Sequence, residues 1–387
     1  MAGSLVESTL SRPSFDAAFD APAFVRAMLA FESALAQAQA EEGLVEPAAA
    51  RAIASACASL RVDHQAIAAE AKRSGTLVVP LVRLLREEIA RTSREHAAAA
   101  HFGATSQDVL DTAMVLCLKP CLEEADRALE AAVRSLARRA REHRATPMLG
   151  RTLMQPALPI CVGLKLARWA VALSEDRERL AQAQVAGLAV QLGGPVGALE
   201  SLGPRGPAVR HRLAMRLNIA DVRAWHSHRN AWLDLLGRMA QVVATAGKIA
   251  RDVSLLAQPE VGEMLESPPR EGVGASSAMA HKRNPVACLH ALAAATRMPG
   301  LLATVHAASI GEHERALGGW QAELATVPAI AGALGSALDF LDTIAASLVV
   351  NAERMKANVV AYGEPGAAAS LDGAVDELLA DLAPYLT

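Results

Sequence analysis

Aromatic residues are scarce: Phe, Trp and Tyr make up 3% of the 387 residues, and β-branched side chains form no long runs. This argues against a sheet-built fold, whose half-buried strands draw on those residue types. Net charge is also small, −3 from 38 basic and 41 acidic residues. Such a balance gives no electrostatic footprint for nucleic acid or an anionic membrane surface, and neither partner is expected. The five cysteines (Cys57, Cys117, Cys121, Cys161 and Cys288) are odd in number and contain no CxxC pair. A disulfide framework or zinc site is therefore not expected, and reduced thiols in a cytoplasm fit better. The opening MAGSLVESTLSRPSFD lacks a basic stretch followed by an apolar one, so no secretory signal is expected. Between Glu323 and Asp339 lies a long, apolar charge-free run, which holds Pro328 and two glycines and falls short of a membrane span. A soluble cytoplasmic protein is expected.

What the chain has in abundance is Ala, Leu, Glu and Arg, the residues of strong helix propensity. From Trp232 to Leu256, apolar residues recur at steps of three and four (Trp232, Leu235, Leu236, Met239, Val242, Val243, Ala246, Ile249, Ala250, Val253, Leu256). A helix of that extent is roughly 37 Å long, which implies a bundle. A second helix is predicted from Pro159, whose fixed φ suits a first helical turn. A third lies within 108–144, where Pro120 is expected to kink or divide it. The pattern continues over 300–358. The length exceeds one compact core, and three regions are expected: a small N-terminal helical domain (1–95), a central helical bundle (96–345) and a short, loosely structured C-terminal remnant (346–387).

Polar clusters interrupt the helices at 101-HFGATSQD-108, 150-GRTLMQP-156, 225-WHSHRN-230, 271-EGVGASSAMAHKRNPVAC-288 and 312-EHERALGGWQAE-323. Each has a plain reading. Thr105 and Ser106 suit the cap of a helix beginning near Asp108. His226 and His228, with no carboxylate or thiol at ligand spacing, read as a surface loop rather than a metal site. Glu312 to Arg315 suit a solvated helix face, and Trp320 suits a core tryptophan with a satisfied N–H.

Taken together, however, the clusters resemble the fumarase/aspartase superfamily. The loop GASSAMAHKRNP is similar to that superfamily's signature loop, GSSxMPxKxNP, through Ser276, Ser277, Met279, Lys282, Asn284 and Pro285. HFGATSQDVLDTA resembles its first conserved region and GRTLMQPALPICVGLKLA its second. Within it, TSQDVLDT, GRTLMQ, QPEVGEM and ERALGGWQAE look most like the bacterial cycloisomerases that lactonise 3-carboxy-cis,cis-muconate in protocatechuate breakdown. The resemblance implies an all-α fold with a long central bundle, a small N-terminal helical domain and a truncated C-terminal domain. It also implies a homotetramer with each active site built from three subunits, a polycarboxylate substrate, and neither metal nor cofactor.

On that basis Ser276 is expected to carry a proton, with Lys282, Asn284 and loop N–H groups stabilising the alkoxide and an enediolate. His101, Thr105, Ser106, Gln107, Arg151, Arg229, Ser277, Met279 and Arg315 are expected at the substrate, with Trp320 and Gln321 at the pocket wall. Arg151 serves equally well as a structural ion-pair partner. Gly272 and Gly274 are expected hinges of a closing loop. The departures matter too. Leu153 stands where many lyases of the superfamily carry a proton-transferring histidine, Ala275 and Ala280 replace a glycine and a proline of the signature, and Asn230 replaces a frequent aspartate. These leave two rivals to cyclisation of this muconate: elimination of an amine or oxygen leaving group from a succinyl-type substrate, or cyclisation of a substituted muconate such as a sulfonated one. A non-catalytic helical scaffold is a third.

Overall fold

The structure is a computed structural model, and it describes residues 6–267, 273–279, 282–363 and 372–386. Five N-terminal helices come first: α1 (Pro13–Ala18), α2 (Ala21–Glu41), α3 (Pro47–Ser59), α4 (His64–Ser74) and α5 (Val78–Ala90). Then α6 (Ser106–Glu142) leads into a hairpin of β1 (Pro147–Thr152) and β2 (Gln155–Cys161), followed by α7 (Val162–Gly187) and α8 (Gly206–Leu217). The chain continues through α9 (Asn230–Leu256), β3 (Met264–Glu266), α10 (Val286–Ala308), α11 (Gly319–Ser347), β4 (Leu348–Val350), α12 (Ala352–Tyr362) and α13 (Asp372–Asp381).

Helices α6, α7, α9, α10 and α11 run alternately up and down as one bundle, α9 packing against α7, α10 and α11, and α6 against α7 and α11. Small residues let them approach closely. A Cβ added at Gly247 of α9 would lie 2.5 Å from the Ala295 Cβ of α10. The stripe read from Trp232 to Leu256 is buried as expected. Each large apolar side chain so buried contributes roughly 2 kcal/mol.

The structure corrects several expectations. Pro120 does not divide α6, because it sits on the exposed face, where water can satisfy the carbonyl that its missing N–H leaves free. Pro159 lies in β2 rather than opening a helix; α7 begins at Val162, with the Cys161 Sγ accepting the Leu164 N–H at 3.3 Å. In a two-stranded ladder every strand is an edge, so proline is tolerated there. The tail is ordered rather than loose over 372–386. Val375 of α13 packs with Cys161 at the end of β2 and Leu164 of α7, and the Tyr385 hydroxyl meets Ser174 at 3.1 Å. Glu312 to Arg315 form part of the turn between α10 and α11 rather than a helix face. Two helices, α10 and α11, are also long and apolar enough to cross a bilayer by length and composition, which the charge-free run did not foresee. Most of the α11 window is buried in the bundle, but only 22% of that of α10 is.

Candidate active site

At one end of the bundle Thr105 caps α6, and its N–H donates to Asp108 Oδ2 at 3.0 Å. The buried Asp108 carboxylate also accepts from the Gln191 amide and from the N–H groups of Gly193 and Gly194, at 2.9 to 3.1 Å. His226 Nε2 meets it at 2.8 Å. The WHSHRN stretch is therefore only partly a surface loop. His228 is exposed, but His226 is buried, with its Nδ1 unpartnered among the described residues. Gln107, also buried, donates to the His226 carbonyl at 3.2 Å and accepts from Arg315 Nε at 3.2 Å. Arg315 further donates to the Pro195 carbonyl at 3.0 Å. His101, in the left-handed region at φ 64, is joined through Nδ1 to the buried Glu32 at 2.6 Å. Burial pushes the His101 pKa down, but the carboxylates of Glu32 and Asp108 outweigh it, and the net shift is upward.

Arg229 requires a correction. Rather than facing a ligand, its buried guanidinium is held between Asp111 and Glu323, with the Trp225 ring 4.3 Å from its Cζ. The Trp320 and Trp232 indole N–H groups complete those two carboxylates at 2.9 and 3.1 Å. Trp320 is thus a buried tryptophan with a satisfied N–H.

The opposite end of the bundle holds Arg151 and the signature loop, whereas Gln321 stays at the first end, accepting the Gly318 N–H at the start of α11. Arg151 makes a bidentate pair with the buried Glu263, at 2.8 and 2.7 Å, and Asn358 adds a bond at 2.7 Å. That is the ion-pair geometry which the sequence also allowed for it. The β1–β2 hairpin turns tightly, Thr152 opposite Gln155, so that Leu153 (φ 51) and Met154 (φ 65) both occupy the left-handed region with 96% and 70% of their surface exposed.

The signature loop is a small closed excursion at this end. The Asn284 N–H donates to the Gly274 carbonyl at 2.8 Å, and Ala275 and Arg283 form a β-bridge. Gly274 has φ 76, and a Cβ there would lie 2.4 Å from the Asn284 carbonyl oxygen, so the base of the loop requires glycine. Glu266 pins the exit by accepting the N–H groups of Ala287 and Cys288 at the start of α10, each at 2.9 Å. Within the loop the Ser276 Oγ accepts the N–H groups of Ala278 and Met279, at 3.3 and 3.1 Å. The donors seen on this oxygen are backbone amides; Lys282 is exposed nearby in sequence, as are Ser277 and Met279. Gly272 and Ala280 lie outside the described residues.

Within one chain, then, His101, Thr105, Ser106, Gln107 and Arg315 cluster at one end, while Arg151 and the Ser276 loop cluster at the other. Ser135 Oγ donates to the Ala345 carbonyl and Arg139 to that of Leu348, which fixes the C-terminal end of α6 beside β4 and hence beside β3 and the loop exit. With α6 spanning 37 residues, the two clusters stand on the order of 50 Å apart. Among the described residues, no group of three or more His, Cys, Asp or Glu side chains is arranged to hold a metal ion.

A family model described as "Lyase" matches residues 8–300. A 3-carboxy-cis,cis-muconate cycloisomerase of Bradyrhizobium diazoefficiens is 43% identical over 92% of this chain and 79% of its own length. A nitrosuccinate lyase of Streptomyces davaonensis is 39% identical over 89% of this chain and 74% of its own. Among solved structures, the 3-carboxy-cis,cis-muconate lactonizing enzyme of Pseudomonas putida superposes with a TM-score of 0.87 at 36% identity, covering 98% of this chain and 87% of that one. The chain belongs to this lyase family, within the fumarase/aspartase superfamily.

Proposed function

We propose that this protein closes 3-carboxy-cis,cis-muconate to a carboxymuconolactone, an intramolecular addition in the breakdown of protocatechuate. A carboxylate oxygen adds to a conjugated carbon, and the displaced π electrons collect on the neighbouring carboxyl group as an enediolate. The Ser276 hydroxyl gives its proton to the carbon beside that group, and the serine alkoxide left behind is held by the Ala278 and Met279 amides. That double donation to Ser276 Oγ is the observation that carries the proposal, since an unassisted serine hydroxyl is a poor proton carrier. Lys282 and Asn284 face the enediolate once the loop has closed, with Ser277 and Met279 beside them. Leu153 carries no proton, so the hydroxyl does this work without histidine. The reaction is an isomerisation, and no redox cofactor enters its balance.

The site is shared between copies in a homotetramer: His101, Thr105, Ser106, Gln107 and Arg315 of one chain meet the Ser276 loop of another. The separation of the two clusters supports this, as does α10, whose apolar window is left open by its own chain. The N-terminal helices (1–95), the bundle (96–345) and the C-terminal remnant (346–387) are its three parts. The test is ultraviolet absorbance of 3-carboxy-cis,cis-muconate, which falls as conjugation is lost; unchanged absorbance contradicts the proposal. A second reading, elimination from a succinyl-type substrate, is favoured by the 39% identity to a nitrosuccinate lyase. Release of fumarate from nitrosuccinate with the muconate untouched would establish it.

A further inference from the structure

Beside the first cluster lies a cavity of about 530 Å³, lined among others by Val78, Val79, Val82, Arg86, His101 and Ser106. That size suits a small organic anion. Val78, Val79 and Val82 give the α5 side an apolar stretch, beside which Arg86, also of α5, and the His101 ring are its distinguishing chemistry. The remaining charges of the wall, Arg83 and Glu87, pair with one another at 2.8 Å, and Arg83 also pairs with Glu70. Behind His101 stands Glu32 of α2, 1% exposed, with Oε1 on His101 Nδ1 and Oε2 unpartnered among the described residues. The backbone around His101 is clamped on both sides. Arg86 donates to the Ala100 carbonyl at 2.9 Å, and the Gln39 amide donates to the Phe102 carbonyl at 2.6 Å. A carboxylate buried this deeply, with one partner, has no surface role; its one engaged oxygen fixes the ring's orientation and its charge.

We infer that Glu32 is a positioning residue that holds His101 as an imidazolium with Nε2 directed to a ligand, so that His101 and Arg86 together seat one carboxylate of the substrate in this cavity. This deepens the proposed function and rests on it. The charged groups bearing on the ring are Glu32 from α2, Asp108 from α6 and Arg86 from α5. The first two favour its charged form and the third opposes it, with the balance upward. Binding of an anion is therefore strong while His101 is charged and weakens as pH rises through its raised pKa. Removing the Glu32 charge moves that loss to lower pH, at about tenfold in affinity per unit of displacement.

The experiment uses calorimetric titration of the whole protein with tricarballylate, a stable tricarboxylate, between pH 6 and 8. Glu32→Gln is expected to weaken binding tenfold or more at pH 7.5 and by much less at pH 6. A purely structural role would weaken binding equally at all pH. His101→Gln, which does not depend on how Glu32→Gln folds, is expected to bind weakly with little pH dependence in this range. Equal pH dependence in wild type and both variants overturns the inference, as does failure of tricarballylate to bind wild type. Failure of wild type to consume the muconate, with the titration behaving as expected, instead overturns the proposed function alone.

Discussion

Replacing Arg229 by methionine separates a structural cation from a substrate contact. The substitution keeps most of the side chain's length and removes its charge. Asp111 and Glu323, both buried, are then left facing one another with only the two indole N–H groups for support. Removing one partner of a buried ion pair costs about 3 to 5 kcal/mol, because the remaining charge has no compensation. Burial already raises the Glu323 pKa, against the opposing pull of Arg229, and loss of the guanidinium raises it further. In the variant the folded state therefore binds a proton that the unfolded chain, with a glutamate pKa of about 4.3, gives up. Stability in that range falls as pH rises, so the penalty is largest near pH 8 and shrinks toward pH 5.5. Urea denaturation of both proteins, at one protein concentration and several pH values, measures it. A loss below about 1 kcal/mol with no pH trend, accompanied by a large rise in KM, would show that Arg229 reads the substrate and that the burial argument fails.

Other perturbations have equally definite outcomes. Asp108→Asn places an amide where the N–H groups of Gly193 and Gly194 point, and is expected to cost about 2 to 3 kcal/mol in denaturation experiments. Gly274→Ala forces a Cβ to within 2.4 Å of the Asn284 carbonyl oxygen. It is expected to lower turnover by about 10²-fold through misplacement of the loop, while leaving global unfolding unchanged. Replacing Leu153 and Met154 together by Asn-Gly suits their left-handed turn and is expected to raise stability by about 1 kcal/mol, read as a higher denaturation midpoint.

The long helices were legible because their apolar spacing is a property of the chain itself: the stripe from Trp232 to Leu256 needs no partner to be recognised. Their ends were less so. Pro159 fits a helix start and an edge strand equally well, and only the pairing of 147–161 decides between them. Whether Pro120 interrupts α6 depends on which face the bundle buries, a tertiary fact. At the site, the motif residues were found by resemblance, but their roles depended on partners far away in sequence. Arg229 read as a ligand-facing cation because Asp111 and Glu323 lie 118 and 94 residues from it. His226 read as surface because its partner Asp108 sits in another cluster. Glu32 gave no signal at all: a lone glutamate on a helix is ordinarily solvated, and its burial against His101 is visible only in the fold. The acid in TSQD was the one clue to Asp108 that the sequence offered.

The proposed activity depends most on Ser276 of one chain acting beside His101 of another. Its most direct test is subunit mixing. Ser276→Ala and His101→Ala, each inactive alone but correctly assembled, are unfolded together, refolded and assayed by loss of muconate absorbance. Shared sites predict that activity returns in the mixture, since some sites then draw an intact Ser276 and an intact His101 from different chains. A mixture as inactive as its parents would contradict the account.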